Sequence, residues 1–220
     1  VVRGPLVVLD AVDLVLAPGH RVGLIGPNGV GKSTLLGALC GAVALDSGSV
    51  EASPRSATVG LLPQEPERST TETVQGFLGR RTGVLAAQIE LDSAVDALAA
   101  GDAGCDDRYS DALERWLALG AADFEARVGE TWTELGLDPV LLDQPTATLS
   151  GGEAARSSLA SLLLSRYDVF LLDEPTAAMD AEAEFEVFEH FRELAAGRIA
   201  ILISHRFSTV RMADQIVVLD

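Results

Sequence analysis

A glycine-rich turn between an apolar segment and a helical segment constrains the fold of this chain more than any other feature. Residues 21–25 (Arg-Val-Gly-Leu-Ile) have the composition of a buried strand, and residues 32–40 have the pattern of a helix that ends at Gly41. The turn between them matches G-x-x-x-x-G-K-S/T and consists of Gly26, Pro27, Asn28, Gly29, Val30, Gly31, Lys32 and Ser33. Strand, turn and helix in this order are the structural context that the motif requires.

This turn has the chemistry of a phosphate-binding loop. Glycines let consecutive backbone N–H groups point at an anion, and the N-terminus of the following helix adds its dipole. Lys32 is the single lysine of the sequence, and its compact ammonium suits the β- and γ-phosphates of a nucleotide where an arginine fork does not fit. The Ser33 hydroxyl is a candidate Mg²⁺ ligand, and Thr34 completes the candidate nucleotide-binding set. An ordinary Gly-rich turn is the alternative, and the agreement of strand, loop, lysine and helix counts against it.

The rest of the chain alternates between strand and helix patterns outside one central segment. Further strands are predicted at residues 6–16, 59–62, 169–172, 199–203 and 215–219. A helix is predicted before each of the last three strands, at residues 153–165, 180–195 and 207–213. Strand-helix-strand alternation predicts a mostly parallel sheet covered by helices.

The central segment, residues 65–145, is helical and acidic. It contains 17 acidic and 6 basic residues, so it carries −11 of the net charge of −17. The patterns predict a helix at 84–99, a second helical stretch at 106–135 that weakens near Gly120, and a shorter helix beside this antiparallel pair. A solvated face is the default meaning of such charge, and the charge counts against broad binding to nucleic acid or to anionic membranes. We therefore expect one domain, with a core at 1–64 and 145–220 and a helical insert at 65–144.

Two further motifs carry candidate chemistry. The apolar run at 169–172 ends in Asp173 and Glu174, of which the first suits a magnesium shell and the second suits activation of a water molecule. Ser150 and Glu153 have the spacing of a capping box at the start of a helix, and this leaves Gly151 and Gly152 beside a helix N-terminus that can accept a phosphate.

The sequence also limits the class of protein. No apolar run approaches 18 residues, so no membrane-spanning segment is predicted. Cys40 and Cys105 have no metal-ligand spacing and are expected to be free thiols in a reducing cytoplasm. Because the chain starts at Val1 and stops at Asp220, just after a strand, we expect it to be a fragment of a longer protein.

Taken in order, these motifs resemble those of the ATP-binding cassette (ABC) ATPases over nearly the whole chain. The resemblance implies a P-loop NTPase fold of ABC type, which is an α/β fold with a mostly parallel sheet flanked by helices, an N-terminal β region and an inserted helical subdomain. It implies that ATP and Mg²⁺ are the cofactors, that ATP is hydrolysed, and that residues 26–34 bind ATP. It assigns the signature, which faces a partner's ATP, to Ser150, Gly151, Gly152 and Glu153, with Glu153 where many members have Gln.

The resemblance also assigns individual roles. Glu174 corresponds to the catalytic base, His205 to the switch histidine and Asp180 to the D-loop acid, and Gln64 and Lys32 complete the catalytic set. Ser33, Gln64 and Asp173 correspond to the groups around the metal. A lone histidine is more often a surface or capping residue, and the position of His205 after a predicted sheet strand favours the functional role.

Two subfamilies are represented in this one chain. Residues 19–175 resemble the first cassette of an ABC-F protein, including the long insert between Gln64 and Ser150, whereas residues 177–220 resemble the cassette of an ABC exporter. Recombination, an assembled sequence or a divergent relative would each produce this combination. The aromatic residue that the family usually stacks on adenine is absent from residues 1–16.

We therefore expect a cytoplasmic Mg-ATP-hydrolysing cassette that works as a head-to-tail dimer with a second cassette, from the same chain or another copy. The favoured role is in an ABC-F-like protein that acts on the ribosome. The first alternative is the nucleotide-binding domain of an exporter, held by the transporter's membrane domains at the inner face of the plasma membrane without inserting into the bilayer. A non-hydrolysing, ATP-dependent assembly module is the third possibility, and intact Glu174 and His205 make it the least favoured.

Overall fold

The computed structural model describes residues 1–3, 6–101, 103–175, 184–185, 189, 191–193, 196–206, 211 and 213–220. By their internal contacts these residues form two units. The first combines Val1–Pro66 with Tyr167–Asp220, and the second is Glu67–Arg166. The second unit extends past the insert expected at 65–144 and includes the segment with the Ser150 motif.

The N-terminal strands of the first unit are shorter than the sequence pattern predicts. Strands β1 (Val2–Arg3) and β2 (Leu6–Val7) pair antiparallel. The prediction of one strand over residues 6–16 is wrong beyond Val7. Ala11 has a positive φ of 47°, which is incompatible with extended backbone and ends the strand character of this segment.

A parallel sheet carries the rest of the described first unit. Its strands are β3 (Arg21–Ile25), β4 (Val59–Leu62), β5 (Val169–Asp173), β6 (Ile199–Ile203) and β7 (Gln215–Val218). They lie in the order β4-β5-β6-β3-β7, and every neighbouring pair is parallel. These strands confirm the predictions at 21–25, 59–62, 169–172, 199–203 and 215–219, and the mostly parallel α/β fold with them.

Burial explains why the central strands are continuous apolar runs. Phe170, Leu171 and Leu172 of β5 are completely buried although successive side chains point to opposite faces. Both faces of the sheet are therefore covered at this strand, as parallel sheets require. Leu36 from helix α1 (Lys32–Leu39) belongs to the same core as Leu171, so packing fixes the helix that follows the glycine-rich loop.

The described helices of the second unit follow the predicted pattern with one addition. They are α2 (Val74–Arg81), α3 (Val84–Ala100), α4 (Cys105–Ala118), α5 (Phe124–Glu134) and α6 (Gly151–Leu164). The pairs Gln88–Trp116 and Glu90–Arg115 run in opposite chain directions, so α3 and α4 are antiparallel as predicted. Helix α2, which begins at the Thr73 cap, was not predicted.

Gly120 divides the helical stretch predicted at 106–135. Its φ of 65° is left-handed, so α4 ends there, and a short 3₁₀ turn at Ala121–Asp123 leads into α5. The Arg127 guanidinium donates to the carbonyl oxygens of Leu119 at 3.2 Å and Gly120 at 2.8 Å. Arg166 donates to Ala118 O at 3.0 Å, so two cations satisfy the carbonyl end of α4.

The remaining predictions of local structure have mixed outcomes. Helix 153–165 is confirmed as α6, whereas helices 180–195 and 207–213 fall largely on residues outside the described ranges. Cys40 and Cys105 are free, as predicted. Within the described ranges, no helix combines the length and the apolar character needed to cross a membrane.

Candidate functional site

Four strand ends meet along one edge of the sheet in the first unit. The carboxyl ends of parallel strands lie at the same edge, and open α/β sheets bind ligands there. Strand β3 leads into Gly26, β4 leads towards Gln64, β5 ends at Asp173 beside Glu174, and β6 is followed by Ser204 and His205. The topology thus brings together motifs that are far apart in sequence.

The loop after β3 closes over a buried lysine. Lys32 is 7% exposed, and its Nζ donates to the carbonyl oxygens of Gly26 at 2.9 Å and Pro27 at 3.0 Å. Helix α1 begins after Gly31, has no side-chain cap and has no acidic residue in its first turn. The Lys32 ammonium and the N–H groups of the first turn therefore present positive charge, and no acidic residue of the helix itself neutralises it.

Two of the loop glycines are required by close approach of neighbouring backbone. A Cβ at Gly26 (φ 154°) would collide with the carbonyl oxygen of Leu219. A Cβ at Gly31 (φ 108°) would lie 2.8 Å from Val8 Cγ1 and 2.9 Å from Val8 O. The loop is consequently held from both sides, by the segment after β7 and by the segment after β2, in a conformation that L side chains rarely adopt.

Asp173 lies next to the start of α1. The Ser33 hydroxyl is near enough to this carboxylate to act on its pKa. Burial raises the pKa of Asp173, the neighbouring Glu174 charge raises it further, and Ser33 and Lys32 act in the opposite direction. A carboxylate and a hydroxyl in contact are the hard oxygen ligands that Mg²⁺ prefers, so these two side chains fit the ion.

This donor set needs additional ligands to complete a magnesium shell. In the part of the chain that the structure describes, no group of three or more His, Cys, Asp or Glu side chains could hold a metal ion. Mg²⁺ usually keeps several waters and takes one or two carboxylates plus phosphate oxygens. A site made of Ser33, Asp173 and nucleotide phosphates agrees with that preference.

Both carboxylate oxygens of Glu174 have partners at the sheet edge. Gln64 Nε2 donates to Oε2 at 3.2 Å, and His205 Nε2 lies 3.0 Å from Oε1. The Glu174 side chain is 24% exposed, so it borders solvent while it is held. Three residues that the sequence assigned separately therefore lie in contact with one another, through one hydrogen bond and one close His–carboxylate contact.

The backbone of Glu174 is itself unusual. Its φ is 45°, a left-handed value for a residue with a side chain. The Glu174 N–H donates to the carbonyl oxygen of Ile203 at 3.1 Å, which ties this turn to the end of β6. Such conformations persist where the surrounding structure over-determines them, and they cluster at functional sites.

The motif at Ser150 belongs to the second unit and begins α6. Ser150 Oγ accepts from Glu153 N at 3.3 Å and Ser150 N donates to Glu153 Oε2 at 2.8 Å, which confirms the predicted capping box. The backbone hydrogen bond from Ser150 is the main cause of the lowered pKa of Glu153. Arg68 Nη1 donates to Leu149 O at 2.7 Å and so holds the residue that precedes the cap. Ser150 and Gly151 remain exposed.

One buried acid near the site was missed by the sequence analysis. Glu184 is 1% exposed and forms an ion pair with Arg206, whose Nη1 lies 2.9 Å from Glu184 Oε2. Its sequence neighbours Glu182 and Glu186 make the segment look like an ordinary solvated helix face, so no sequence signal distinguished it. Asp180, the expected D-loop acid, lies outside the described residues.

Comparison with known proteins places these features in one family. A family model described as ABC transporter matches residues 9–177. EttA, the energy-dependent translational throttle protein of Mycobacterium tuberculosis strain H37Rv, is 33% identical over 226 residues, with 99% of this chain and 39% of that protein covered. The ATP-dependent lipid A-core flippase of Syntrophus aciditrophicus is 33% identical over 214 residues, with 96% of this chain and 32% of that protein covered.

The chain therefore spans less than two fifths of the length of either relative. A translational throttle protein and a lipid A-core flippase match at the same identity, so the comparisons do not separate the two subfamilies. Among solved structures, the dimeric ABC transporter cassette MJ0796 has a TM-score of 0.69 at 19% identity, with 96% of this chain and 86% of that chain covered. This likeness confirms the P-loop ATPase fold expected from the sequence. The strand-end cluster, the phosphate-type loop and these matches lead to one conclusion: the chain belongs to the ATP-binding cassette family and is an ABC ATPase cassette.

Proposed function

We propose that this cassette hydrolyses Mg-ATP as one half of a head-to-tail pair of cassettes. The observation that carries the proposal is the Glu174 carboxylate, which is held between Gln64 and His205 beside the Ser33–Asp173 contact. A base, a metal-binding carboxylate and a phosphate loop at one sheet edge are the parts that phosphoryl transfer to water requires.

The phosphate loop supplies binding and orientation. In this proposal the N–H groups of residues 26–34 and the Lys32 ammonium hold the β- and γ-phosphates of ATP. Ser33 and Asp173 hold Mg²⁺, with Gln64 contributing to its surroundings. When bound, the ion neutralises charge on the phosphate oxygens.

Glu174 acts on the attacking water. Its carboxylate accepts the water's proton, which requires a fixed orientation towards the γ-phosphate. Gln64 and His205 supply that orientation, because each occupies a different carboxylate oxygen.

The second half of the site comes from a partner cassette. The exposed Ser150 uses its oxygen as an acceptor in the capping box, and its O–H donor remains available for a phosphate. The N-terminus of α6 adds backbone donors at Gly151 and Gly152. We propose that these groups contact the γ-phosphate of the ATP bound by the second cassette.

We further propose that the cassette works in a cytoplasmic, ABC-F-like protein that acts on the ribosome. EttA matches almost the whole chain, and the helical insert supports this assignment. The charge of −11 on residues 65–145 counts against contact between the insert itself and RNA. The second candidate is the cassette of an exporter, supported by the equal identity to the flippase and by the exporter-like pattern after Thr176.

Glu174→Gln tests the proposed chemistry. In the full-length protein we expect turnover to fall about 10²- to 10⁴-fold, the range for loss of a general base, while ATP remains bound and traps a stable dimer. Lys32→Ala removes the ammonium and is expected to abolish nucleotide binding. Glu189→Gln is the matched control, since it changes a glutamate of the same unit that pairs with Arg192 on the surface. Unchanged phosphate release in Glu174→Gln would overturn the assignment of the base.

The biological role is tested separately. The full-length protein is mixed either with ribosomes or with membrane vesicles from the cells that produce it. A non-hydrolysable ATP analogue is present, and the mixture is then sedimented. Co-sedimentation with ribosomes supports the ABC-F-like role. Recovery with membranes, or transmembrane helices in the complete coding sequence, overturns it in favour of the exporter.

A further inference from the structure

Glu184 is a buried carboxylate with no assigned role in the phosphate loop or in the Asp173–Glu174 pair. Only 1% of its side chain is exposed, whereas the Arg206 side chain that pairs with it is 36% exposed. Removing a carboxylate from water is strongly unfavourable unless a cation and hydrogen bonds compensate for it. The 2.9 Å contact to Arg206 Nη1 contributes to this compensation, so Arg206 is held in place by the acid that it helps to stabilise.

Arg206 directly follows His205, so fixing it limits where the histidine can lie. On the other side of His205, Ser204 is 6% exposed, and its hydroxyl accepts from the Arg206 N–H at 3.0 Å. The loop is thus attached before His205 by Ser204 and after it by the ion pair. Between these attachments, His205 Nε2 reaches Glu174 Oε1 at 3.0 Å.

We propose that Glu184 and Arg206 are a positioning pair that sets His205 against Glu174. The proposal rests on the proposed roles of Glu174 and His205. Glu184 does not touch the reacting atoms. It acts on His205 through Arg206 and the backbone that joins these two residues. Without the pair, strand β6 and the segment that follows it still form, but the His205 imidazole loses its fixed orientation.

A purely structural ion pair would behave differently in three measurable ways. It would lower thermal stability without changing the turnover of the folded protein. Alternatively, if loss of the ion pair loosened the fold, ATP binding and turnover would fall together. The pair would also act independently of His205, because residues that do not work through one another contribute separately.

The test uses the full-length protein with Glu184→Gln, Arg206→Met and Arg206→Lys, each alone and in a His205→Ala background. Arg192→Met is the control, since it removes a surface ion pair with Glu189 at 2.6 Å in the same unit. Turnover, KM for ATP, nucleotide affinity and thermal unfolding are measured for every variant. The neutral pair Glu184→Gln/Arg206→Met removes both charges of this ion pair and keeps the comparison valid if a single variant fails to fold.

We expect kcat to fall roughly 10- to 100-fold in Glu184→Gln and in the neutral pair, the scale set by misplacing a catalytic group by about 1 Å. KM and nucleotide affinity stay at the wild-type values. The Arg206→Lys variant, which keeps a cation, retains most of the wild-type turnover that Arg206→Met loses. In the His205→Ala background, Glu184→Gln causes no further loss.

Three results separate the possible failures. A folded Glu184→Gln protein with wild-type kcat overturns the positioning proposal. An equal loss with and without His205 also overturns it, because the pair would then act on something else. If Glu174→Gln retains turnover, the proposed function fails instead, whatever the Glu184 variants do.

Discussion

Gly31→Ala is the sharpest test of the phosphate loop, because the structure gives two separate costs for the added methyl group. Gly31 has φ 108° and ψ 10°, and a left-handed backbone costs an L-residue about 1–2 kcal/mol. The new Cβ would lie 2.8 Å from Val8 Cγ1 and 3.1 Å from Leu9 Cδ2. Overpacking of this kind costs about 1–3 kcal/mol, so the total is about 2–5 kcal/mol.

This free energy can be divided between two measurable quantities. If the loop keeps its shape in Gly31→Ala, the free energy of unfolding falls by the whole amount and ATP affinity is unchanged. If the loop relaxes, stability is preserved and ATP affinity falls about tenfold for every 1.4 kcal/mol. The prediction is therefore the sum of the two losses, measured by denaturant unfolding and by titration with ATP in the full-length protein.

Two other glycines provide matched controls. Gly29 lies in the same loop with φ 82° and nothing within 4 Å of its Cβ position, and Gly41 lies outside the loop with φ 77° and equally open space. Each alanine variant should lose only the cost of placing an L-residue in a left-handed backbone, about 1–2 kcal/mol. In Gly41→Ala this loss should appear in the free energy of unfolding alone, with ATP affinity unchanged. A summed loss for Gly31→Ala no greater than that for Gly41→Ala would refute the close-contact explanation of the loop.

Two further predictions concern the capping box and acid stability. Ser150→Ala removes the acceptor for Glu153 N and should lower the free energy of unfolding by about 1 kcal/mol, whereas Ser150→Thr should retain most of it; equal losses in chemical denaturation would contradict the cap. Asp214 accepts from Arg21 at 2.7 Å and 2.9 Å, and these side-chain hydrogen bonds lower its pKa from 3.8 to about 2. A depressed folded-state pKa adds stability that is fully present above about pH 4 and is lost as the pH falls towards 2. Because the Asp214 side chain is 46% exposed, we expect Asp214→Asn to lower stability by under ~1 kcal/mol at pH 7. Urea titrations should show this gap narrowing below pH 4, and a gap that stays constant down to pH 2.5 would contradict the linkage.

Local patterns predict the elements around the site because those elements are determined locally. Strand β5 is a continuous apolar run that is buried on both faces, and α1 follows directly from the loop motif. The strand predicted at 6–16 fails because the positive φ of Ala11 leaves no mark on hydrophobic alternation. Helix α2 escaped prediction because Gly76 and Gly79 weaken its helical pattern, although the Thr73 cap was visible in the sequence.

The arrangement within the site depends on chain topology. Gln64 and Glu174 are 110 positions apart, and only the adjacency of β4 and β5 brings their side chains within 3.2 Å. The ion pair between Glu184 and Arg206 is a second case, since Glu184 does not differ in type from Glu182 and Glu186 and nothing in the sequence links it to Arg206. Motif order identified the candidate groups, and sheet order decided which of them touch.

Lys32 gives the chain a single ε-amino group, and that amine is almost completely enclosed by the loop that it holds. Acylation of lysine side chains therefore reports on one site in this segment, without the usual background of surface lysines. The rate at which a reagent modifies that nitrogen measures how often the loop opens, and protection by nucleotide measures occupancy. Digestion with a lysine-specific protease has the same property, because it can cleave this segment at one bond only, between Lys32 and Ser33 at the start of α1.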